Sequence, residues 1–331
     1  MKIIAIANQK GGCGKTTTAI NLSSSLSLNG QRVLLIDCDP QAHATLGLNL
    51  NSDLEKSMYH VMTPKQEDQI EIEDIVVPVK DNFDLAPSSI ILGGVEQELA
   101  GVEGREHMLR LAIANIRKPY DYIILDCPPS LGHLCFNALR ACGEVIIPID
   151  MSLFSLRGVA KLMEIIILFK TEVGHNIHSR ALITMYDFRT RYARRVLARV
   201  KEAFGDNVLN TVIRYNIRLR ETVDYGLPVG DYDKHAIGHK DYEKLAEEIM
   251  SIEADFMHQE CSSRHGAQDI LQKAEKYINA AQESQGAEMP QPEVEELSAP
   301  ELESSYSKMV ETIAAKHPDP VSENAGKLEK L

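Results

Sequence analysis

Gly11, Gly12, Gly14, Lys15 and Thr16 lie within a few residues of one another, between an apolar run and a helical one. Glycines there let the backbone curl so that successive N–H groups face phosphate oxygens. The helix that follows adds its positive N-terminal end. Lys15 can neutralise phosphate charge, and the Thr16 hydroxyl can enter the shell of a Mg2+ ion. Cys13 and Thr17 complete the phosphate-facing stretch, where only the backbone of Cys13 is needed. The spacing departs from the usual G-x-x-x-x-G-K-[ST] loop. Gln9 stands where the first glycine belongs, and a second lysine, Lys10, follows it.

Acids further along can serve the same chemistry. Asp126 ends the apolar run "YIIL" and is a natural carboxylate for Mg2+, which takes oxygen ligands. Asp37 and Asp39 close "LLIDCD". They are expected to face apart and to take separate roles. Asp39, beyond the strand end, approaches the γ-phosphate and positions a water, while Asp37 supports the loop.

These residues need a scaffold. Residues 2–8, 32–37, 83–89, 120–130, 143–150 and 179–187 read as buried strands. Helical stretches separate them, at 15–28, 105–117, 156–171 and 191–204, with a closing helix at 241–257. Apolar strands alternating with helices predict an α/β fold, a mostly parallel twisted sheet with helices on both faces. Ligands of such sheets bind at the carboxyl ends of the strands, where all the residues named above fall.

The chain has 331 residues, 44% of them hydrophobic, enough for one large α/β domain. A phosphate-loop nucleotide domain is expected over 1–258 and an acidic C-terminal extension over 259–331. Residues 251–331 hold 16 acids against 7 bases, and most of the net charge of −13 resides there. One amphipathic helix is expected over 270–282 and a shorter one near 302–315. The rest of the extension is acidic, Pro-containing and poor in large apolar residues, which predicts disorder. Six cysteines form no C-x-x-C pair, so no zinc or thioredoxin-like motif is indicated. Neither a signal peptide nor a bilayer-length apolar stretch is seen, so a soluble cytoplasmic protein is expected.

A basic segment interrupts the acidic chain. Arg189, Arg191, Arg194, Arg195, Arg199, Lys201, Arg214, Arg218 and Arg220 face only Glu202 and Asp206 as acids over 189–220. Arg191, Arg194, Arg195 and Arg199 share one helical face. Such a face attracts DNA phosphates without reading sequence, or it is a solvated face paired with acids elsewhere.

Three stretches, "KGGCGKTTTAINL", "LLIDCDPQAHATLGL" and "YDYIILDCPPSLG", together resemble the ParA/MinD family of deviant Walker A ATPases. The likeness is to the ParA/Soj partition subgroup, extends through 182–229, and covers roughly residues 1–250. It implies ATP and Mg2+ as cofactors and a homodimer in the ATP state. Lys10 matches the signature lysine that reaches the partner subunit's nucleotide, and Lys15 the loop lysine. Thr16 and Asp126 match the Mg2+ residues, and Asp39 matches the acid that orients the attacking water. Arg189 and Arg218 match arginines that bind double-stranded DNA non-specifically, with Arg195 and Arg220 on the same basic segment. Asn216 matches an asparagine near the adenine, although "IRYNIRL" lacks the usual Pro-Arg before it. A ParB-like activator and a nucleoid-associated location follow from the same likeness, with a chromosome, plasmid or other cargo.

The chain departs from the family at Cys13, at Ala42 and His43 (commonly Gly-Asn), and at Ser152 and Arg157 (commonly acids). Two rival readings remain. A MinD-like membrane-cycling ATPase would need a basic amphipathic C-terminal helix, and "VSENAGKLEKL" is a poor one. An iron–sulfur reductase of the nitrogenase iron protein type shares a cluster between subunits using two cysteines per chain, and Cys127, Cys135 and Cys142 lack the expected Cys-Gly-Gly context.

Overall fold

A computed structural model describes residues 1–50, 54–63, 70–102, 104–152 and 154–256. The expectations for 270–282, for 302–315 and for the rest of the acidic extension lie outside the described residues.

Eight strands form one sheet in the order β3-β4-β2-β5-β1-β6-β7-β8. They are β1 Lys2–Ile6, β2 Val33–Asp37, β3 Val77–Lys80, β4 Phe83–Ala86, β5 Tyr122–Asp126, β6 Glu144–Ile149, β7 His178–Tyr186 and β8 Val208–Arg214. All pair in parallel except β3, which runs antiparallel to β4 at one edge. The mostly parallel α/β sheet is therefore as expected.

Alternation sends each strand's apolar residues to two cores. Ala5, Ile36, Ile123 and Leu125 join Val145, Ala181 and the helices on one face. Ile4, Ile6, Leu35 and Ile124 join Leu22, Leu26 and Leu245 on the other. Because both faces are covered, the strands read as continuous apolar runs.

Helix α1 spans Lys15–Leu28 as expected. It ends in a Schellman motif, with Gly30 at φ 79°, its N–H on the Ser27 carbonyl at 3.0 Å, and the Gln31 N–H on the Leu26 carbonyl at 3.1 Å. The helix Arg191–Phe204 is also as expected. Thr190 caps it, accepting from the Ala193 N–H at 3.1 Å, and Ala193, Val196, Val200 and Phe204 are buried.

Several boundaries differ. The run 120–130 forms a strand only over 122–126, since Pro128 and Pro129 lack the N–H a ladder needs. The stretch 83–89 ends as a strand at Ala86, and the stretch 105–117 is helical over Met108–Ala114 after a 3-10 turn. Strands β3 and β8 were not anticipated. β3 is a four-residue edge strand containing Pro78, and β8 carries polar Asn210 and Thr211.

The closing helix spans Ile237–Phe256. Asp241, near its start, binds Arg214 at the carboxyl end of β8. Glu248 accepts from the N–H groups of Asn210 and Thr211, near the amino end of β8, at 2.6 and 2.8 Å. The helix therefore runs antiparallel to β8 and finishes at the amino edge of the sheet.

Candidate functional site

The loop between β1 and α1 sits at the carboxyl edge. Gly12 and Gly14 have φ of 74° and 94°, backbone that L side chains rarely adopt. Their positive φ turns the chain directly into α1, whose first N–H groups have no helical partner. The Thr184 hydroxyl on β7 holds the Cys13 carbonyl at 2.8 Å. Cys13 is fully buried, its Sγ donates to the Lys10 carbonyl at 3.2 Å, and burial pushes its thiol pKa up. It is a packed neutral thiol.

Lys15 is 7% exposed, and its Nζ donates to the Lys10 carbonyl at 3.1 Å. Lys10 takes a different direction. Its Nζ donates to Asp150 and, at 2.5 Å, to Ser152 Oγ, both just past the end of β6. The front of the loop is clamped there. Asn8 Nδ2 donates to the Pro148 carbonyl at 2.7 Å, and a Cβ on Gly158 would stand 2.6 Å from Asn8 Oδ1.

Asp126 lies at the end of β5, fully buried, and neither carboxylate oxygen has a hydrogen-bond partner. Burial raises its pKa well above the carboxylate range, and the neighbouring charge of Asp37 adds to this. The Thr16 hydroxyl, near the carboxylate but outside hydrogen-bonding geometry, and the Lys15 ammonium pull the other way. A buried acceptor without a partner is costly unless something fills it. A hard divalent cation takes oxygen donors and keeps several waters. Thr16 and Asp126 are the oxygens this corner offers. No cluster of three or more His, Cys, Asp or Glu able to hold a metal occurs among the described residues. A cation here would complete its shell with phosphate oxygens and water.

Asp37 is equally buried but fully used. It accepts from the Asp39 N–H at 3.1 Å, the Thr45 N–H at 2.9 Å and the Thr45 hydroxyl at 2.7 Å. Thr45 Oγ1 in turn accepts from the Ser88 N–H, and Ser88 Oγ donates to the Asp39 carbonyl. Asp37 thus supports the turn that carries Asp39. The expectation that the two acids face apart needs correcting: residues two apart on a strand share a face. What separates their roles is that β2 ends at Asp37 and the chain turns before Asp39.

A cleft of about 440 Å3, within the range of ligand sites, opens at the loop, with Thr16 in its wall and Asp126 buried outside its lining. Gly11, Gly12, Lys15, Thr16, Thr17 and Asp39 line one side, and Leu219, Val223 and Leu227 the other. A narrower pocket of about 60 Å3 joins Gly14 and Thr17 to Tyr215, Asn216 and Arg220. Asn216 is therefore brought to the site, although its Oδ1 accepts from the Arg218 N–H at 2.8 Å.

Sequence reasoning missed Met185, His43, Gln41, Asp150 and Thr184. Met185 lines both pockets at φ 53°, in a register break of β7. No periodicity announces such a residue. Ala42 also sits at positive φ, 53°, where the family's usual glycine would be unstrained, so that departure was a usable signal.

The basic residues fall into two groups. Arg191, Arg194 and Arg195 are exposed on one helix face, as expected. Arg189 pairs bidentately with Asp187 at 2.8 and 2.9 Å. Arg218 pairs with Glu221 at 2.7 Å, and Arg220 lies over the Tyr215 ring at 5.5 Å. Arg214 leaves the set, because Asp241 binds it at the sheet end. Arg189 follows β7 and Arg218 opens the helix Arg218–Tyr225 after the adjacent parallel β8, so both stand at the nucleotide-loop edge of the sheet.

Cys127, Cys135 and Cys142 are buried in the core, at 1% exposure or less. In this position they cannot bridge a cluster between subunits. No described helix is long and apolar enough to cross a membrane.

Residues 1–179 match a family model described as an AAA domain. The sporulation initiation inhibitor protein Soj of Bacillus subtilis is 41% identical over 76% of this chain and 98% of its own length. The chromosome-partitioning ATPase Soj of Treponema pallidum is 39% identical over 76% and 97%. Among solved structures, cobyrinic acid a,c-diamide synthase of Mycobacterium smegmatis, with ATP analogue and magnesium, has 30% identity and a TM-score of 0.66, covering 77% of this chain and 97% of that one. A putative plasmid partition protein of Borrelia burgdorferi, bound to AMPPNP, has 26% identity and a TM-score of 0.65, covering 76% and 99%.

Proposed function

The chain belongs to the ParA/MinD family of deviant Walker A ATPases, on the side of the Soj and ParA proteins, and from that premise we propose that it is a partition ATPase that hydrolyses ATP with Mg2+. The observation that carries the reading is Asp126, a buried carboxylate with both oxygens unpartnered beside the phosphate loop. Thr16 and Asp126 would hold Mg2+, directly or through water. When bound, it would supply charge neutralisation at the phosphates.

The other steps belong to the chain. Backbone N–H groups of Gly11 to Thr17 cradle the phosphates. Lys15 leaves the Lys10 carbonyl for the β/γ-phosphates, so the resting contact is replaced by a charge-assisted one. Asp39, held by its turn to Gln41 N–H and by Ser88, orients the attacking water. Phosphoryl transfer needs placement and charge stabilisation more than covalent chemistry. Lys10 supplies the last charge to the nucleotide of a second copy, which couples turnover to dimerisation. Asn216 lies beside the adenine.

The dimer binds double-stranded DNA non-specifically through Arg189, Arg195, Arg218 and Arg220, cycles on the nucleoid in the cytoplasm, and is stimulated by a ParB-like partner. Residues 1–258 form the ATPase unit, and 259–331 an acidic extension dispensable for ATP binding. The test is ATPase rate and DNA co-sedimentation, with and without ATP and Mg2+, across a salt series. ATP-dependent, salt-sensitive DNA binding is expected. DNA binding indifferent to both ATP and salt overturns the reading.

A further inference from the structure

Lys10 is the residue the proposed dimer needs most, yet its ammonium is engaged within its own chain. Two acceptors hold it. Asp150 Oδ2 takes one proton and Ser152 Oγ another, at 2.5 Å. The acceptor pair is itself preset. Asp150 Oδ1 accepts from the Ser152 N–H at 3.3 Å and the Ser152 hydroxyl at 2.9 Å, which fixes the carboxylate with its other oxygen toward Lys10. The ion pair is shielded, at 24% and 15% side-chain exposure. Its attraction is therefore less screened than that of a surface pair.

The backbone beneath is anchored separately. The Lys10 N–H donates to Asn8 Oδ1 at 3.1 Å, and Gly158 abuts the same stretch. Only the side chain of Lys10 has to move for the ammonium to leave. A lysine has rotamer freedom for such a swing. It cannot serve a phosphate across an interface while both acceptors keep it at the end of β6.

We propose that Asp150, with Ser152, is a positioning device that holds Lys10 in its own chain and sets how readily nucleotide closes the dimer. The inference rests on the reading that Lys10 acts on the partner subunit's nucleotide. Each protomer's lysine must be withdrawn from its carboxylate before it can pair with the partner's phosphates. The carboxylate thereby competes with the phosphate for one ammonium. Nucleotide binding within one chain uses Lys15 and is untouched by the competition.

Asp150→Asn keeps the shape and removes the charge. The test is sedimentation velocity of the full chain with Mg2+ and the non-hydrolysable analogue AMPPNP. A charge-assisted hydrogen bond has a net worth that converts to a roughly tenfold change in an equilibrium constant. Asp150→Asn is expected to dimerise at about tenfold lower protein concentration or below, with unchanged affinity of the monomer for a fluorescent ATP analogue. Ser152→Ala shifts dimerisation the same way by less, and reports on the device even if Asp150→Asn folds poorly. In a Lys10→Ala background, monomeric with AMPPNP, Asp150→Asn should not restore dimerisation; restoration there would mean that Asp150 opposes closure by a route other than Lys10 and overturns the proposal. Unchanged or weakened dimerisation in both single variants overturns the proposal. If Lys10→Ala itself dimerises normally with AMPPNP, the cross-subunit reading beneath it fails instead.

Discussion

Asp37 and Asp126 stand side by side in register at the ends of β2 and β5, both fully buried, yet one has three hydrogen bonds and the other none. The same residue type in the same layer is thus structural in one strand and available in the next. Substitution should separate the two. Asp126→Asn is expected to lower the ATPase rate about 100-fold or more. It should leave the urea midpoint equal or raised, because a buried ionisable group beside Asp37 is replaced by a neutral one of the same shape. Asp37→Ala strands the Thr45 and Asp39 donors and should cost about 3 kcal/mol. Parallel urea melts and rate measurements check both.

The loop glycines should differ in what they tolerate. Gly14→Ala forces an L residue to φ 94°, at a cost of about 1–2 kcal/mol, although the new methyl meets Thr184 only at ordinary contact distance, 3.8 Å. Gly11 has no such φ and no neighbour within 4 Å of an added Cβ. Gly11→Ala should leave stability within about 0.5 kcal/mol. Thermal or urea unfolding without nucleotide gives the comparison.

DNA binding should be sensitive to which arginine is removed. Arg195→Ala, Arg218→Ala or Arg220→Ala each should reduce the salt slope of binding by about 1. Arg214→Ala should leave the slope unchanged while lowering stability, since it strands the buried Asp241. Asp187→Asn frees Arg189 and should tighten binding. Titrations in the ATP state over a salt series check all three outcomes.

His175 should make stability depend on mild acid. Burial lowers its pKa below the ordinary value, with the charge of Arg140 adding to this, and its Nε2 lies 2.9 Å from the Cys142 carbonyl and 3.1 Å from that of Leu139. The unfolded chain then binds a proton more readily than the folded one. This contribution is fully present above the ordinary histidine value of about 6.5 and is lost as pH falls through the lower folded value. Urea midpoints from pH 7.5 to 5 should fall less steeply in His175→Gln than in the parent chain.

Much of this was legible in the sequence. The phosphate loop, α1 and the basic helix follow from local patterns, and the glycines, Lys15, Thr16 and Asp126 stand at the carboxyl edge where strand–helix alternation puts them. What could not be read is set by long-range pairing. Asp150 meets Lys10 across 140 residues, and Thr184 meets Cys13 across 171. Asp37 and Asp39 were separated for the wrong reason, because the end of β2 depends on the Thr45 and Ser88 network. β8 escaped because half of it faces Glu248 and solvent, so its pattern is not that of a buried strand.

The antiparallel run of the closing helix along β8 has a practical meaning for anyone handling the molecule. β1 begins, and that helix finishes, on the rim opposite the loop. Both ends of the described sheet-and-helix body therefore lie at its rear. A fluorophore, an affinity tag or a bead attached at either one leaves the nucleotide-loop edge clear.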